Sequence, residues 1–182
     1  MALTLVTGGA RSGKSRHAEG LVADDAAVTY VATGQSDDGS DPEWTQRVAA
    51  HRARRPSGWT VLETRDVAGV VRAASGTVVV DCLGTWLTGL VDDAGLWADL
   101  PAAGRLVHTA GDILGDALDA STARIVLVTN EVGLAPVATT ASGRWFQDEL
   151  GGLNARLAAV ADHVHLVVVG RVLDLSLAPV VR

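Results

Sequence analysis

An apolar run and a glycine-rich turn open the chain as Leu3-Thr4-Leu5-Val6-Thr7-Gly8-Gly9-Ala10-Arg11-Ser12-Gly13-Lys14-Ser15. The second half has the pattern G-x-x-x-x-G-K-S of the P-loop, in which backbone N–H groups curl around phosphate oxygens. Residues 2–7 predict a buried strand. Residues 15–22 predict the helix that must follow the loop, with its positive dipole end at the phosphates. The sequence therefore predicts a nucleoside triphosphate site; the alternative is a buried glycine-rich turn that binds no nucleotide.

Lysine occurs once in the chain, at position 14 inside this loop, whereas the other fourteen of the 15 Lys and Arg residues are arginine. A guanidinium is flat and forked, but an ammonium on a slim stem can reach between phosphate oxygens. The placement of Lys14 therefore supports the phosphate-binding interpretation.

The composition of the 182 residues, 48% of them apolar, indicates one globular domain that spans residues 1–182. A net charge of −6 argues against general binding to nucleic acids or acidic membranes. Cys82 is the only cysteine, so an internal disulfide is excluded and a reducing compartment is favoured. The sequence shows neither a secretory leader pattern nor an apolar run of about 18 residues. We therefore expect a cytoplasmic protein with no nucleic-acid partner and no membrane span.

Strand and helix patterns alternate along the chain. The strand candidates are residues 2–7, 28–32, 59–63, 77–81, 124–129 and 164–169. Several are valine-rich runs, which are typical of parallel strands covered on both faces. Helices fit between the strands, and Asp41-Pro42 is a helix start signal. The pattern predicts an α/β fold that is P-loop NTPase-like, with a mostly parallel sheet and helices on both faces. It gives no clear assignment after Gly170.

Two helical segments carry apolar stripes that we expect to pack in the core. One stripe consists of Ala103, Leu106, Val107, Ala110, Ile113, Leu114, Ala117 and Leu118. The other consists of Phe146, Leu150, Leu153, Leu157 and Val160. Spacings of three and four residues place each stripe on one face of its helix.

Two residues are candidate magnesium ligands in a P-loop site. The Ser15 hydroxyl follows the lysine of the loop, and Asp81 ends the valine-rich run 77–81, where a carboxylate ligand is expected. The alternative for Asp81 is an ordinary helix N-cap. Glu63 also ends a strand candidate, and it fits a ribose contact, a metal contact or a solvated side chain equally well.

Basic side chains surround His51. If residues 42–54 are helical, Arg47, Arg54 and Arg55 lie four before, three after and four after His51 and share its face. Several cations would disfavour protonation of the imidazole, keep it a neutral nucleophile and hold an arriving phosphate. The alternative, which spacing alone favours, is a solvated basic helix face with one incidental histidine.

The other histidines give weaker signals. His17 follows the P-loop and is expected to be structural. His108, His163 and His165 do not have the spacing of metal ligands. The segment Asn130-Glu131-Val132-Gly133 follows a buried strand and is either a ligand-binding turn at the sheet edge or a plain polar turn.

These motifs together resemble the bifunctional adenosylcobinamide kinase/adenosylcobinamide-phosphate guanylyltransferase family of cobalamin biosynthesis. The resemblance covers nearly the whole chain in the right order. It rests on residues 6–19, Tyr30-Val31-Ala32-Thr33, Arg47-Val48-Ala49-Ala50-His51-Arg52 with Arg55-Pro56, Asp81-Cys82-Leu83 with Trp86-Leu87-Thr88, Val128-Thr129-Asn130-Glu131-Val132-Gly133, and Asn154-Ala155-Arg156-Leu157-Ala158. The family often has Asn where Gly89 stands, so a polar contact from that position is absent here.

The resemblance implies two activities. One phosphorylates the aminopropanol hydroxyl of adenosylcobinamide with ATP or GTP. The other transfers GMP from GTP to His51, as a phosphoramidate with release of pyrophosphate, and then to adenosylcobinamide phosphate, which gives adenosylcobinamide-GDP. The arginines beside His51 would neutralise the phosphate charge that develops there. The family includes trimers, so a homo-oligomer is also implied.

The resemblance also implies site residues and a cofactor. His51 would be the catalytic residue, and Mg²⁺ held by Ser15 and Asp81 would accompany GTP or ATP. The implied nucleotide-binding residues are Gly8, Gly9, Ala10, Arg11, Ser12, Gly13, Lys14, Ser15, Ala32, Thr33, Gly34, Arg52, Ala53, Arg54, Arg55, Glu63 and Asp81. A corrinoid would be the second substrate. The alternatives are a single-activity P-loop small-molecule kinase and a nucleotide-switch regulatory protein, neither of which needs a nucleophilic imidazole at position 51.

Overall fold

A computed structural model describes residues 2–35, 39 and 41–181, except the side chains of Trp44, Arg47 and His51. The strands are β1 (Ala2–Gly8), β2 (Val28–Ala32), β3 (Thr60–Glu63), β4 (Thr77–Asp81), β5 (Arg124–Val128), β6 (His163–Val168) and β7 (Arg171–Asp174). The helices are α1 (Lys14–Leu21), α2 (Pro42–Arg54), α3 (Val67–Ala73), α4 (Leu83–Ala94), α5 (Leu100–Ala120) and α6 (Ala141–Val160). No helix among the described residues is both long enough and apolar enough to cross a bilayer.

The strands form one sheet in the order β3-β2-β4-β5-β1-β6-β7. Neighbouring strands are parallel from β3 through β6, and only β7 runs antiparallel, against β6. Helices connect the parallel strands because a parallel neighbour can be reached only by a crossover. The predicted α/β fold with a mostly parallel sheet is thereby confirmed.

Helices cover both faces of the sheet, since successive side chains of a strand point to opposite sides. Leu3 and Leu5 of β1 pack into a large core cluster with α3, α4, α5 and α6, whereas Val6 packs into a second cluster with Ala18 of α1. We call these sides the α6 face and the α1 face. Complete burial of a leucine or valine side chain stabilises the fold by about 1.5–3 kcal/mol. The two clusters therefore fix the sheet between its helices.

The strand predictions agree closely with the structure. β2 and β4 have the predicted bounds, and the ends of the other predicted strands differ from the observed ends by no more than one residue. The strand β7 was not predicted, because all four of its residues are exposed and no core-facing alternation marks it. No individual helix was predicted at the positions of α3 and α4 either.

The two apolar stripes are mostly buried, but each contains one wrong prediction. Ile113 of α5 is 44% exposed and Val160 at the end of α6 is 54% exposed. The contact of α5 with α6 also depends on Gly111, where an added Cβ would lie 2.8 Å from Nη2 of Arg156. A glycine shortens the distance between two helices, and the apolar stripe did not reveal it.

Strand register aligns the carboxyl ends of five strands. Glu63 of β3 pairs with Ala32 of β2, which pairs with Asp81 of β4. Asp81 in turn pairs with Val128 of β5, which pairs with Val6 of β1. We call this line of strand ends the P-loop edge, because the P-loop follows β1 at this edge. Open α/β sheets bind their ligands at such an edge.

Candidate functional site

The P-loop is a tight turn held from two sides. Arg11 has a φ of 56° and Gly13 a φ of 99°, both in the left-handed region that a loop needs in order to reverse towards α1. Gly170 N–H donates to the Ser12 carbonyl at 3.0 Å, and Glu131 N–H donates to the Gly8 carbonyl at 3.1 Å. These bonds tie the loop to the β6–β7 turn and to the segment after β5, so its shape is set before any ligand binds.

Gly8 has no room for a side chain. A Cβ at this position would collide with the carbonyl oxygen of Val167 on the neighbouring strand β6 and would lie 2.7 Å from Oγ of Ser12. The first glycine of the motif is therefore required by close backbone approach, and a larger residue would push the loop out of its place.

Lys14 lies at the first position of α1 and folds back over its own loop, where its ammonium donates to the Gly9 carbonyl at 3.3 Å. Ser15 follows it in the first turn of the helix and is partly buried. The side-chain oxygens of Thr7 and Ser12 are buried and have no hydrogen-bond partner within the described part of the chain. Buried hydroxyls without a partner are costly, so their presence beside the P-loop is consistent with a ligand that supplies one.

Asp81 is held at the P-loop edge by Tyr30. The phenolic O–H donates to Oδ2 of Asp81 at 2.5 Å. The guanidinium carbon of Arg55 lies 3.8 Å from the centre of the Tyr30 ring, and Trp59 stacks against the ring with a centroid distance of 6.1 Å. Burial, and next the Asp81 carboxylate, raise the pKa of Tyr30 far above its ordinary value. The phenol therefore stays protonated and acts as a fixed hydrogen-bond donor to the carboxylate.

A second group of contacts joins β2 to the turn after β4. Thr33 is fully buried, and its hydroxyl donates to the Cys82 carbonyl at 2.7 Å and meets Thr85 Oγ1 at 2.9 Å. Burial and the Asp81 carboxylate raise the pKa of the Cys82 thiol, while hydrogen bonds with Thr85 act in the opposite direction. These contacts hold the turn after β4 against the end of β2.

The arginines at the end of α2 each have an internal partner. Nη2 of Arg52 lies 2.7 Å from Oε1 of Glu63, so two predicted nucleotide contacts pair with each other. Arg54 reaches Glu19 of α1 through two hydrogen bonds of 3.2 Å, which also raise the pKa of Arg54. This pair joins α2 to α1 across 35 residues of sequence.

His51 lies within α2, as predicted, but its side chain is outside the described part of the structure, as is that of Arg47. Arg55 follows the last residue of α2 and contacts the ring of Tyr30 rather than continuing the helix face. Ala53 is exposed beside them. The described side chains thus place guanidinium groups on the α2 end of the P-loop edge, in the region of the chain that carries His51.

Asn154 of α6 is a positioning residue, and in the sequence only the family resemblance points to it. Its Oδ1 accepts from Thr129 Oγ1 at 2.7 Å, and its Nδ2 donates to the Asn130 carbonyl at 2.9 Å. The amide therefore fixes the turn after β5, next to the P-loop. Its partners are 24 and 25 residues away, so no local pattern identifies it.

A cleft of about 850 Å³ lies on the other side of the P-loop, and we call it the α6 cleft. Its walls are the P-loop from Gly9 to Ser12, the first turns of α4 and α6, the segment after β5 and the end of β6. Phe146 and Val132 line it and also pack against the core cluster of the α6 face. The two sides of the P-loop therefore differ in character, with charged pairs towards α2 and apolar side chains towards α6.

The remaining histidines lie outside these groups. His17 Nε2 and His165 Nδ1 are 2.9 Å apart, and burial, followed by the charge of His165, lowers the pKa of His17. His108 lies 2.8 Å from Glu149 on α6. Among the described residues, no three His, Cys, Asp or Glu side chains form a cluster that could hold a metal ion.

Comparison with known proteins gives consistent matches. The family model described as "Cobinamide kinase / cobinamide phosphate guanyltransferase" matches residues 4–175. The bifunctional adenosylcobalamin biosynthesis protein CobU of Salmonella typhimurium is 39% identical over 178 residues, which cover 92% of this chain and 96% of that protein. The protein of the same name from Escherichia coli is 38% identical over 178 residues, with the same coverage. The bifunctional adenosylcobalamin biosynthesis protein CobP of Pseudomonas aeruginosa is 39% identical over 183 residues, which cover 96% of this chain and 98% of that protein.

Solved structures of two ATPases share the fold. One is a prototypical ATPase from the type III secretion system of pathogenic bacteria, with a TM-score of 0.52, and the other is EscN from enteropathogenic E. coli, with a TM-score of 0.51. Both are 12% identical to this chain, which covers 50% and 43% of their lengths. At that identity the likeness concerns the fold alone, and it confirms the P-loop NTPase-like prediction.

Proposed function

The chain belongs to the cobinamide kinase/cobinamide phosphate guanyltransferase family, and on that premise we propose that both reactions take place at the P-loop edge. The protein is a bifunctional kinase and guanylyltransferase of adenosylcobalamin biosynthesis. The observation that carries the proposed location is the alignment of the P-loop, Asp81 and the arginine-bearing end of α2 at one edge of the sheet.

In the kinase reaction, the P-loop residues Gly8, Gly9, Ala10, Arg11, Ser12, Gly13, Lys14 and Ser15 would hold the triphosphate of ATP or GTP. The hydroxyl oxygen of adenosylcobinamide attacks the γ-phosphorus and loses its proton to water, the bond from the γ-phosphorus to the β–γ bridging oxygen breaks, and ADP or GDP leaves with the electron pair. Backbone N–H groups and the Lys14 ammonium stabilise the charge on the transferred group.

In the guanylyl transfer, His51 would be the nucleophile. Its neutral ring nitrogen attacks the α-phosphorus of GTP, a P–N bond forms, and pyrophosphate leaves. A phosphate oxygen of adenosylcobinamide phosphate then attacks the same phosphorus, and the P–N bond breaks to return its electron pair to the imidazole. The product is adenosylcobinamide-GDP.

Arg52, Arg54 and Arg55 support this assignment by their fixed positions. Each guanidinium is held by an internal partner, respectively Glu63, Glu19 and an aromatic ring. Donors that are already in place stabilise developing phosphate charge without reorganisation during the reaction. Ala53, Glu63 and the turn from Ala32 to Gly34 would complete the nucleotide site, with buried Thr33 positioning the turn rather than contacting the nucleotide through its hydroxyl.

Mg²⁺ would be held by the Ser15 hydroxyl and the Asp81 carboxylate, together with phosphate oxygens of the nucleotide. A magnesium ion in such sites takes one or two protein oxygens and completes its octahedron with phosphates and water. The donor set fits, because both residues supply oxygen and Tyr30 orients the carboxylate of Asp81. When bound, the ion would neutralise charge on the phosphates.

The test is intact-protein mass after incubation with GTP and magnesium, before and after mild acid. We expect a gain of one GMP that acid removes, since phosphoramidates are acid-labile. His51→Ala should abolish the gain, and Lys14→Ala should weaken triphosphate binding. His108→Ala is the matched control, because His108 is an exposed histidine paired with Glu149 away from the P-loop edge. An unchanged gain in His51→Ala would refute the nucleophile assignment.

Three further expectations belong to this proposal. Residues 1–182 would act as one kinase/guanylyltransferase domain, which is supported by the single sheet that spans the described chain. The protein would form a homo-oligomer, a trimer by resemblance, and sedimentation velocity would measure its mass. A cytoplasmic location rests on the single, half-buried cysteine.

A further inference from the structure

Apart from the P-loop residues Gly9 to Ser12, the lining of the α6 cleft has no role in nucleotide binding as proposed above. The predicted nucleotide contacts outside the P-loop lie at the ends of β2, β3 and β4 and at the end of α2. The pair of Arg54 and Glu19 joins α2 to α1. The α6 cleft instead lies between α4 and α6, whose core residues belong to the α6 face. Both regions meet at the P-loop, so a phosphate bound there is accessible from two separate sides.

This arrangement is what a phosphoryl transfer between two large molecules requires. The donor phosphate and the acceptor hydroxyl must meet in line at about 3–3.5 Å, so the acceptor must occupy a space that opens onto the P-loop. The α6 cleft satisfies this condition because Gly9 to Ser12 form part of its wall. Its volume of about 850 Å³ lies within the range of small-molecule sites and exceeds what a phosphate group fills.

The walls of the cleft combine polar groups with apolar surface. Ser12 on the P-loop wall has a buried hydroxyl without a hydrogen-bond partner among the described residues, and Arg11, Asn130 and Glu131 add polar groups. Val132, Phe146 and Leu134 present apolar surface. An acceptor that fits this lining carries a broad apolar body and a flexible arm that ends in a hydroxyl or a phosphate.

We propose that the α6 cleft binds the corrinoid acceptor, with the macrocycle against Phe146 and Leu134 and the aminopropanol arm directed to Ser12 at the P-loop. This inference rests on the proposed function, because it takes the corrinoid as the second substrate. One cleft serves both reactions, since the hydroxyl that the kinase phosphorylates and the phosphate that receives GMP are the end of the same arm.

Leu134 is informative because the fold does not need it. It is 79% exposed at the rim of the cleft, whereas Val137, three residues further along the same segment, is 77% exposed and does not line the cleft. Substitution of either residue by glutamate therefore disturbs little of the core. The two substitutions differ only in whether the new charge stands in the proposed corrinoid site.

The experiment compares Leu134→Glu with Val137→Glu. Adenosylcobinamide binding is measured by equilibrium dialysis with the visible absorbance of the corrinoid, which needs no catalysis. Loss of an apolar contact and burial of a charge should weaken corrinoid binding by at least about tenfold in Leu134→Glu, and by less than about twofold in Val137→Glu. The KM for GTP and the yield of enzyme–GMP without corrinoid should be unchanged in both variants.

A second variant tests occupancy by volume. Ala135→Trp adds a large ring to the same wall and should weaken corrinoid binding even if Leu134→Glu disturbs the segment locally. Equal binding by wild type, Leu134→Glu and Ala135→Trp overturns the proposal. A change of sedimentation coefficient in Leu134→Glu with unchanged corrinoid binding also overturns it and assigns the cleft to contact between copies of the chain. Absence of enzyme–GMP in wild type would refute the histidine mechanism instead, while the dialysis result still decides the cleft.

Discussion

Replacement of Tyr30 by phenylalanine removes one oxygen from the P-loop edge and leaves the ring in place. Tyr30 is 1% exposed, and its ring contacts Arg55 and Trp59, which phenylalanine can retain. The hydroxyl donates to the Asp81 carboxylate at 2.5 Å. A hydrogen bond to a charged group contributes about 1.5–3 kcal/mol. Since Asp81 is only partly buried and water can replace part of the contact, we expect a loss of about 2 kcal/mol, or roughly 30-fold in the unfolding constant.

Urea denaturation measures this loss. For a chain of this size the unfolding free energy falls by about 2 kcal/mol per molar urea, so the midpoint of Tyr30→Phe should fall by about 1 M. A double-mutant cycle with Asp81→Asn isolates the contact itself, because the coupling free energy excludes effects on the rest of the protein. The magnesium concentration for half-maximal enzyme–GMP formation should also rise, since the carboxylate loses the donor that orients it. A midpoint shift below about 0.2 M and a coupling below about 0.5 kcal/mol would refute the reasoning.

Two further predictions concern α4 and α1. A Cβ at Gly89 would collide with Nε of Arg65, so Gly89→Asn should lower stability by about 1 kcal/mol, and Arg65→Ala in the same chain should restore it. Gly115→Asn is the control, because no described atom beyond the neighbouring backbone of α5 lies within 4 Å of a Cβ placed there. This change should be neutral or slightly stabilising by urea denaturation. Equal losses at both glycines would contradict the clash. Burial lowers the pKa of His17 below its ordinary 6.5, so the unfolded chain binds more protons on this ring than the folded protein. The contribution of this ring to the free energy of unfolding should therefore be complete above pH 6.5 and should decline as the pH falls below it. The loss of stability between pH 7.5 and 5.5 should be smaller in His17→Gln. An identical loss in wild type and variant would exclude this ring as the cause.

Much of the fold could be predicted because its signals are local. The P-loop binds phosphate through consecutive backbone groups, so its pattern is contiguous from Gly8 to Ser15. The valine-rich runs gave β2 and β4 their observed bounds. Wrong predictions arose where neighbours in space mattered, as at Ile113, which belongs to an apolar stripe and yet is 44% exposed.

The candidate site was predictable only in part. The sequence placed Asp81 and the end of α2 among the candidate residues, but it could not show that Arg54 is held by Glu19 or that Tyr30 holds Asp81. These partners are 35 and 51 residues apart, and neither pair has a periodic spacing. Pairing of this kind depends on which strands become neighbours in the sheet.

The sequence by itself determined the phosphate-binding loop, the alternation of strands and helices, and the resemblance that the family matches confirm. Those properties depend on residues that are adjacent or regularly spaced, because hydrogen bonding and side-chain direction repeat along a strand or helix. Only the tertiary structure decided the sheet order, the Tyr30–Asp81 contact and the α6 cleft. Each of these features forms where segments that are distant in the sequence pack together. Such contacts are selected by the free energy gained when the whole core is buried, rather than by the conformational preference of any single segment.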